Sequence, residues 1–441
     1  MFGYYLSLAL RSFRRNKVLT ALMVVAIALG IGASTTTLTV FHVLSGDPIP
    51  QKSEKLFYPR IDPRSRQGFQ PGDDPEWQMS RFDAEQLLRE KRGDRQAFMS
   101  AGNVAVVPAK AGIDPFMASA RYTTADFFPM FDVPMAAGRS WTAAEDEARA
   151  KLVVISGALS ERLFGEGANA VGKSIRIEQG DFTVIGVIGK WEPNPRFYDL
   201  SQSRYGTDEQ VFVPFWSSRA ANMQPSGNMS CWAQPDDEAP RNDEGNYGLN
   251  VPCTWLQYWV ELSTPEKVKA YREYLVNYSN QQRAAGRFER EPNVDLDDVM
   301  GWLDENGAVP GDVRLQAWLA FGFLFVCLLN TVGLLLAKFL RRSPEIGVRR
   351  ALGATRRTIF AQYLVEAGVI GVAGGVLGLG LAQLGLWAVR QQPTDYAEFV
   401  RIDATMVLAT LALTLVASLA AGLLPAWRAC QVTPAMQLKS Q

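Results

Sequence analysis

Residues 341–357 read RRSPEIGVRRALGATRR, and this basic stretch decides how the chain is laid out. Lys338, Arg341, Arg342, Arg349, Arg350, Arg356 and Arg357 gather within 338–357 against a single acid, Glu345. Uncharged windows lie on both sides, at 315–337 and at 358–389, where Glu366 is the sole ionisable exception, and two more follow the same pattern at 18–46 and 404–427. About 20 apolar residues at about 1.5 Å rise cross a hydrocarbon core of roughly 30 Å, so each window is long enough to be a transmembrane helix. Lys and Arg collect on the cytoplasmic side in short connecting segments. Arg11, Arg14, Arg15 and Lys17 precede the first window, and Arg428 and Lys439 follow the last without an acid. Both termini and the 338–357 loop are therefore expected in the cytoplasm, which places 47–314 outside.

The predicted fold class is a membrane α-helical protein, four transmembrane helices in a 1+3 arrangement, with a large extracytoplasmic α+β domain inserted between helices 1 and 2. The boundaries read as a cytoplasmic amphipathic helix at 1–17, spans at 18–46, 315–337, 358–389 and 404–427, a cytoplasmic loop at 338–357, an external loop at 390–403 and a cytoplasmic tail at 428–441. A cleaved signal peptide is disfavoured for the first window, because the apolar run is too long and no small-residue cleavage site closes it. The inserted block holds 30 of the 45 basic and 40 of the 45 acidic residues. Its net charge near −10 is compatible with export, since long domains cross largely regardless of charge.

Within that block, GANAVGKS at 167–174 fits the phosphate-loop pattern letter for letter. Such a loop needs a buried strand before it and a helix after it, whose N-terminus meets the phosphates. Here the order is reversed. A short helix capped by Ser156 precedes the glycines, with Leu159, Leu163 and Phe164 on one face, and a hairpin follows, turning at Gln179–Gly180. Gly167, Gly172, Lys173 and Ser174 are accordingly read as a decoy.

The rest of the block predicts mixed α+β structure in two subdomains. A loop is expected over 57–77 (FYPRIDPRSRQGFQPGDDPEW), a helix at 80–93 capped by Ser80 or Asp83, and strands at 103–110, 151–156 and 211–215. A strand from 258 leads into a helix capped by Ser263 or Thr264, with Pro265 in its first turn. The polar stretch 201–252 reads as an elaborated loop. Cys231 and Cys253 either pair in the oxidising compartment, closing a loop of roughly 20 residues worth about 3 kcal/mol, or remain two separate buried thiols. Cys327 and Cys430 belong elsewhere.

The single histidine, His42, argues against His-rich metal sites and histidine-based triads. The acid pairs Asp73–Asp74, Asp236–Asp237 and Asp297–Asp298 read as solvated loops. No catalytic residue, directly bound cofactor or metal is expected. Glu366, two turns or so past the basic loop, is read as snorkelling or pairing near the interface and not as a proton relay.

The 341–357 stretch also reads as a short helix. Ser343 is placed to cap it, Pro344 to occupy the first position, Glu345 to meet the positive dipole end and Gly353 to close it in a left-handed conformation. A rigid knob that is both apolar and basic fits a groove on a cytoplasmic partner.

PEIGVRRALGATRRTIFAQYLVEAGVIGVAGGVLGLGLA, from 344, resembles the permease core shared by MacB-like, lipoprotein-releasing and FtsX-like ABC transporter proteins of the mechanotransmission type. GLLPAWRACQVTPAMQLKS at 422–440 is similar to the tail of that family, with a membrane exit at Leu-Pro-Ala. FFPMFDVPMAAGRSWTAAED, LVVISGALSERLFGEG and AVGKSIRIEQGDFTVIGVI resemble the extracytoplasmic domain of its MacB-like branch.

The resemblance implies that the short helix is a coupling helix docking an ATPase through Glu345, Ile346, Gly347, Arg349, Arg350, Leu352 and Gly353. It implies a cytoplasmic ABC ATPase dimer, supplying ATP and magnesium chemistry from a separate chain, since only about 17 residues precede the first span. A second permease, identical or paralogous, is implied too, with a periplasmic adaptor and outer-membrane channel, in a bacterial inner membrane. The implied function is ATP-driven movement of the periplasmic domain for export of a peptide, antibiotic or lipidic substrate. Lipoprotein release and FtsX-like regulation of periplasmic hydrolases are the alternatives; the size of the external block favours export. Gly371, Gly374, Gly375 and Gly378 have spacings that let helices approach closely, within the chain or between two copies. The lead-in YYLSLALRSFRRNK at 4–17 is expected on the inner membrane surface, bracing the first span.

Overall fold

A computed structural model describes Gly3 and residues 17–109, 112–202, 204–206, 209–232, 245–392 and 396–431. The surface helix expected over 1–17 (Gly3 and Lys17 apart), the tail beyond Gln431 and Asp236–Asp237 lie outside the described residues. The chain forms two compact units, 46–308 and the remainder.

Unit 46–308 is built on one sheet of 13 strands. In chain order they are β1 (Leu56–Ile61), β2 (Met79–Ser80), β3 (Arg95–Val107), β4 (Phe116–Thr123), β5 (Met135–Gly138), β6 (Leu152–Ser156), β7 (Ser174–Ile177), β8 (Gly180–Ile188), β9 (Val211–Pro214), β10 (Pro225–Ser226), β11 (Ser230–Cys231), β12 (Cys253–Glu261) and β13 (Val294–Asp298). The main path runs β13-β1-β12-β3-β4-β9-β6-β8-β5. Along it only β4–β9 and β6–β8 are parallel.

Alternate residues of the central strands feed two cores. Val211 and Val213 enter one and Phe212 the other; Val153 and Ile155 are separated from Val154, and Tyr258 and Val260 from Trp259, in the same way. A period of two with both faces covered explains why these strands read as continuous apolar runs. The sheet passes through the whole unit, so the two expected subdomains are replaced by one sheet with a core on each face.

The second correction concerns the Pro- and Arg-rich start. Residues 57–61, expected in a loop, belong to β1 and are wholly buried. Pro59 is accommodated because pairing with β12 stops at Phe57, leaving that side of the strand open beyond it. Arg60 is accommodated because its Nη2 meets Asp295, Asp297 and Glu305 at 3.1, 2.9 and 2.6 Å. Those acids come from β13 and the helix after it, more than 230 positions away, a contact that propensity cannot anticipate.

Local signals elsewhere act as capping rules require. Ser80 Oγ accepts from the Asp83 amide, Ser156 Oγ from the Leu159 amide and Thr264 Oγ1 from the Lys267 amide. Cys231 and Cys253, opposed across β11 and β12, form a disulfide.

Among its described residues the other unit holds four helices long and apolar enough to cross a membrane: Lys17–Ser45, Gly311–Leu340, Arg356–Arg390 and Ala404–Cys430. They are called here the first to fourth apolar helices. The fourth runs through Pro425 to Cys430 and does not break at Leu-Pro-Ala. The third is the glycine-bearing helix. A Cβ on Gly374 would stand 2.6 Å from Ile27 Cγ2, and one on Gly378 2.9 Å from Ile31 Cγ2, both on the first helix. Gly371 and Gly375 instead abut Ser418 and Thr414 of the fourth. The two interleaved stripes thus pack the third helix between the first and the fourth inside one chain.

Candidate functional site

Between the second and third apolar helices a short helix, Ser343–Ala351, stands as a knob. Its local chemistry explains its extent. Ser343 lies inside the helix and Arg342 takes the cap position, with no side-chain cap hydrogen bond, which corrects the expected Ser343 cap; Pro344 is in the first turn. Gly353 adopts φ +100°, and the amides of Gly353 and Ala354 donate to the carbonyls of Arg350 and Arg349 at 3.1 and 3.0 Å. This left-handed closure is the one that glycine makes accessible.

The expected docking residues divide into two groups. Ile346, 3% exposed, belongs to the bundle core with Met23, Leu335, Phe339, Ile359 and Tyr363, and Gly347 is buried beside it. Neither can meet a partner while the helix stays seated. Glu345, Leu352 and Gly353 are exposed and Arg349 and Arg350 half-buried. Arg349 donates to Glu345 Oε1 at 2.8 Å and to Gln362 Oε1 at 3.0 Å, and Arg350 donates to the Cys430 carbonyl at 3.5 Å. Both arginines therefore brace the knob on the third and fourth helices as well as charging its rim.

The apolar surface offered outward is Val348, 59% exposed, and Leu352, 82% exposed. Val348 was absent from the expected docking set. Its place four residues before Leu352, on the same helical face, is the signal that finds it.

Beneath the knob, Glu366 is buried. Its carboxylate meets Lys338 Nζ at 2.7 Å and Arg342 Nη1 at 3.7 Å, so pairing is the arrangement found. Lys338 also donates to Thr20 Oγ1 at 3.4 Å.

The decoy motif is a turn. Gly167 and Gly172 have φ of +71° and +87°, the Gly172 amide donates to the Val184 carbonyl at 2.8 Å, and Lys173 Nζ sits 4.5 Å from the centre of the Phe164 ring. Strand β7 begins at Ser174. A phosphate cradle needs amides at a helix start, and here the residues that follow are a strand.

In the soluble unit Arg121 is enclosed with Asp199 and Glu209, and Tyr198 donates to Glu209 Oε2 at 2.9 Å. Such a closed set is structural. Asp146 differs: burial pushes its carboxyl up to about 8, and Oδ1 accepts from the Trp216 amide at 3.3 Å while Oδ2 has no partner. It lies beside an open cavity of about 680 Å³ edged by Arg95, Asp126, Arg149 and Trp216. The side chain itself is sealed from that space. No group of acids, histidines or cysteines among the described residues could hold a metal ion.

Two family models match. The one described as the MacB-like periplasmic core domain covers residues 20–278, and the one described as the FtsX-like permease C-terminal covers 317–434. Among curated proteins the chain is similar to the pyoverdine export ATP-binding/permease protein PvdT of Pseudomonas fluorescens, 24% identical over 345 residues, 77% of this chain and 46% of that protein. It is similar to the macrolide export ATP-binding/permease protein MacB of Nitrosomonas europaea, 26% identical over 314 residues, 70% of this chain and 40% of that protein. The uncharacterized ABC transporter permease YvrN of Bacillus subtilis is 24% identical over 316 residues, 71% of this chain and 68% of that one. The chain thus spans less than half the length of PvdT or MacB. Among solved structures it is similar to the periplasmic region of MacB from Actinobacillus actinomycetemcomitans, with TM-score 0.37, 13% identity and coverage of 60% of this chain and 97% of that one.

Proposed function

The chain belongs to the family of the MacB-like periplasmic core domain, carried with an FtsX-like permease region, and from that premise we propose that it is the non-catalytic permease of an ABC exporter. ATP hydrolysis, with its magnesium, takes place on an ABC ATPase that docks on the knob helix. In this reading the knob faces the cytoplasm and the 46–308 unit the periplasm, which the arginine distribution supports.

The observation that carries this reading is the pair Val348 and Leu352. They are exposed on a short helix whose other side, Ile346 and Gly347, is sunk into the bundle. An anchored helix presenting aliphatic side chains within a basic rim is suited to a complementary groove, since specific interfaces centre on buried apolar anchors. Closure of the ATPase would push the knob, and the bundle would pass the motion to the periplasmic unit.

The cargo is proposed as a peptide, antibiotic or lipidic compound, in keeping with relatives whose names specify pyoverdine and macrolide export. A second permease, a periplasmic adaptor and an outer-membrane channel complete the proposed assembly in a bacterial inner membrane.

Changing Val348→Asp together with Leu352→Asp puts two carboxylates on the docking face without touching the core. Co-purification with the ATPase is expected to be lost while membrane insertion, read by protease protection, stays intact. Undiminished co-purification overturns the docking assignment.

A further inference from the structure

The ion cluster under the knob is placed where it can act mechanically. Four segments meet in one chain of contacts: Lys338 from the end of the second apolar helix and Arg342 from the start of the knob both reach Glu366 of the third, and Lys338 also donates to Thr20 of the first. The Lys338 and Glu366 side chains are 0% and 2% exposed. Glu366 lies about 15 Å along its helix from Arg356.

A carboxylate at that depth is costly unless paired. An apolar pair of similar volume would stabilise a bundle as well or better, so a buried ion pair is best explained by what it positions. Among the described residues the knob is held by Ile346 in the core, by Arg349 on Gln362, by Arg350 on the Cys430 carbonyl and by Arg342 on Glu366. Ile346 shares its core with Met23 of the first helix, and Arg342 reaches that helix by a polar route, through Glu366, Lys338 and Thr20.

We infer that Glu366 is a positioning residue that clamps the base of the knob to the first apolar helix, making a push on the knob a push on that helix. The consequence for transport rests on the docking reading above; the clamp itself does not. Ser34, Thr35 and Thr36 make a second set of ties farther along the first helix, to the Ala320 carbonyl, Thr410 Oγ1 and the Ala382 carbonyl at 3.1, 3.2 and 3.4 Å. These ties are remote in sequence from the knob and serve as a control.

Amide hydrogen exchange of the full chain in lipid nanodiscs tests the clamp without an ATPase. Arg342→Gln trims a side chain that is 17% exposed and keeps a polar group of similar reach, so the fold is preserved. It is expected to speed exchange over 343–351 by about tenfold or more while 17–45 is unchanged, and Arg342→Lys should restore most of the protection. Glu366→Gln should loosen the knob and lower thermal stability as well, because it strands Lys338. Ser34→Ala with Thr36→Val should leave the knob unchanged. Parental exchange over 343–351 in Arg342→Gln overturns the inference, as does equal loosening by the Ser34/Thr36 variant. If the Val348/Leu352 variant still binds an ATPase, docking fails while the clamp stands.

Discussion

In the soluble unit, Arg60 and Arg121 are buried among carboxylates drawn from distant loops and strands. In the bundle, Lys338 and Glu366 form one compact cluster, and glycines and hydroxyls make close contacts between helices. The difference follows from what surrounds each unit. A domain in water folds around paired charges because loops can deliver the partners. A bundle in hydrocarbon gains little from apolar contact between helices, and its specificity comes from close approach and a few polar ties.

The largest effect is expected at Arg121. Arg121→Met leaves Asp199 buried without its guanidinium partner and Glu209 with Arg196 at 3.9 Å, and should destabilise the soluble unit by about 3–5 kcal/mol. Exchange over 46–308 would rise while that of the four apolar helices holds. A matching loss in both units would erase the contrast drawn here.

Asp146 sharpens it through pH. Its carboxyl rises from an ordinary 3.8 to about 8 on folding, so the folded unit binds the extra proton between those values. The contribution of this one group is full below pH 4 and falls by about 1.4 kcal/mol per pH unit as pH rises toward 8. Asp146→Asn should abolish this slope in urea unfolding followed at pH 5, 6 and 7; an undiminished slope refutes the assignment.

The smallest change belongs to the bundle. Gly374→Leu drives a side chain into Ile27 and should cost about 1–3 kcal/mol, seen as earlier thermal unfolding of the detergent-solubilised chain. Gly380→Leu, whose Cβ would meet nothing within 4 Å, should leave it unmoved.

Much of this layout was legible beforehand. Four uncharged windows become four helices, the reversed order around 167–174 marks a turn, and Ser80, Ser156 and Thr264 cap as their local chemistry dictates. The capping of the knob was misread, because Arg342 and Ser343 compete for one position and the contact of Arg342 with Glu366 comes from another helix. The strand at 57–61 was missed for a similar reason. Pro59 and Arg60 look like loop residues until the open strand side and three distant carboxylates are known.

Periodicity and charge placement, which depend only on residues a few positions apart, determined the number of spans, the presence of an inserted α+β domain and the knob between two helices. The tertiary structure alone decided which knob residues face outward, which helix each glycine stripe packs against, and that Lys338 and Arg342 meet at Glu366 with Thr20 tied to Lys338. Those are long-range pairings, selected by the cost of leaving a buried charge or a cavity unfilled, and no local pattern records where the partner will come from.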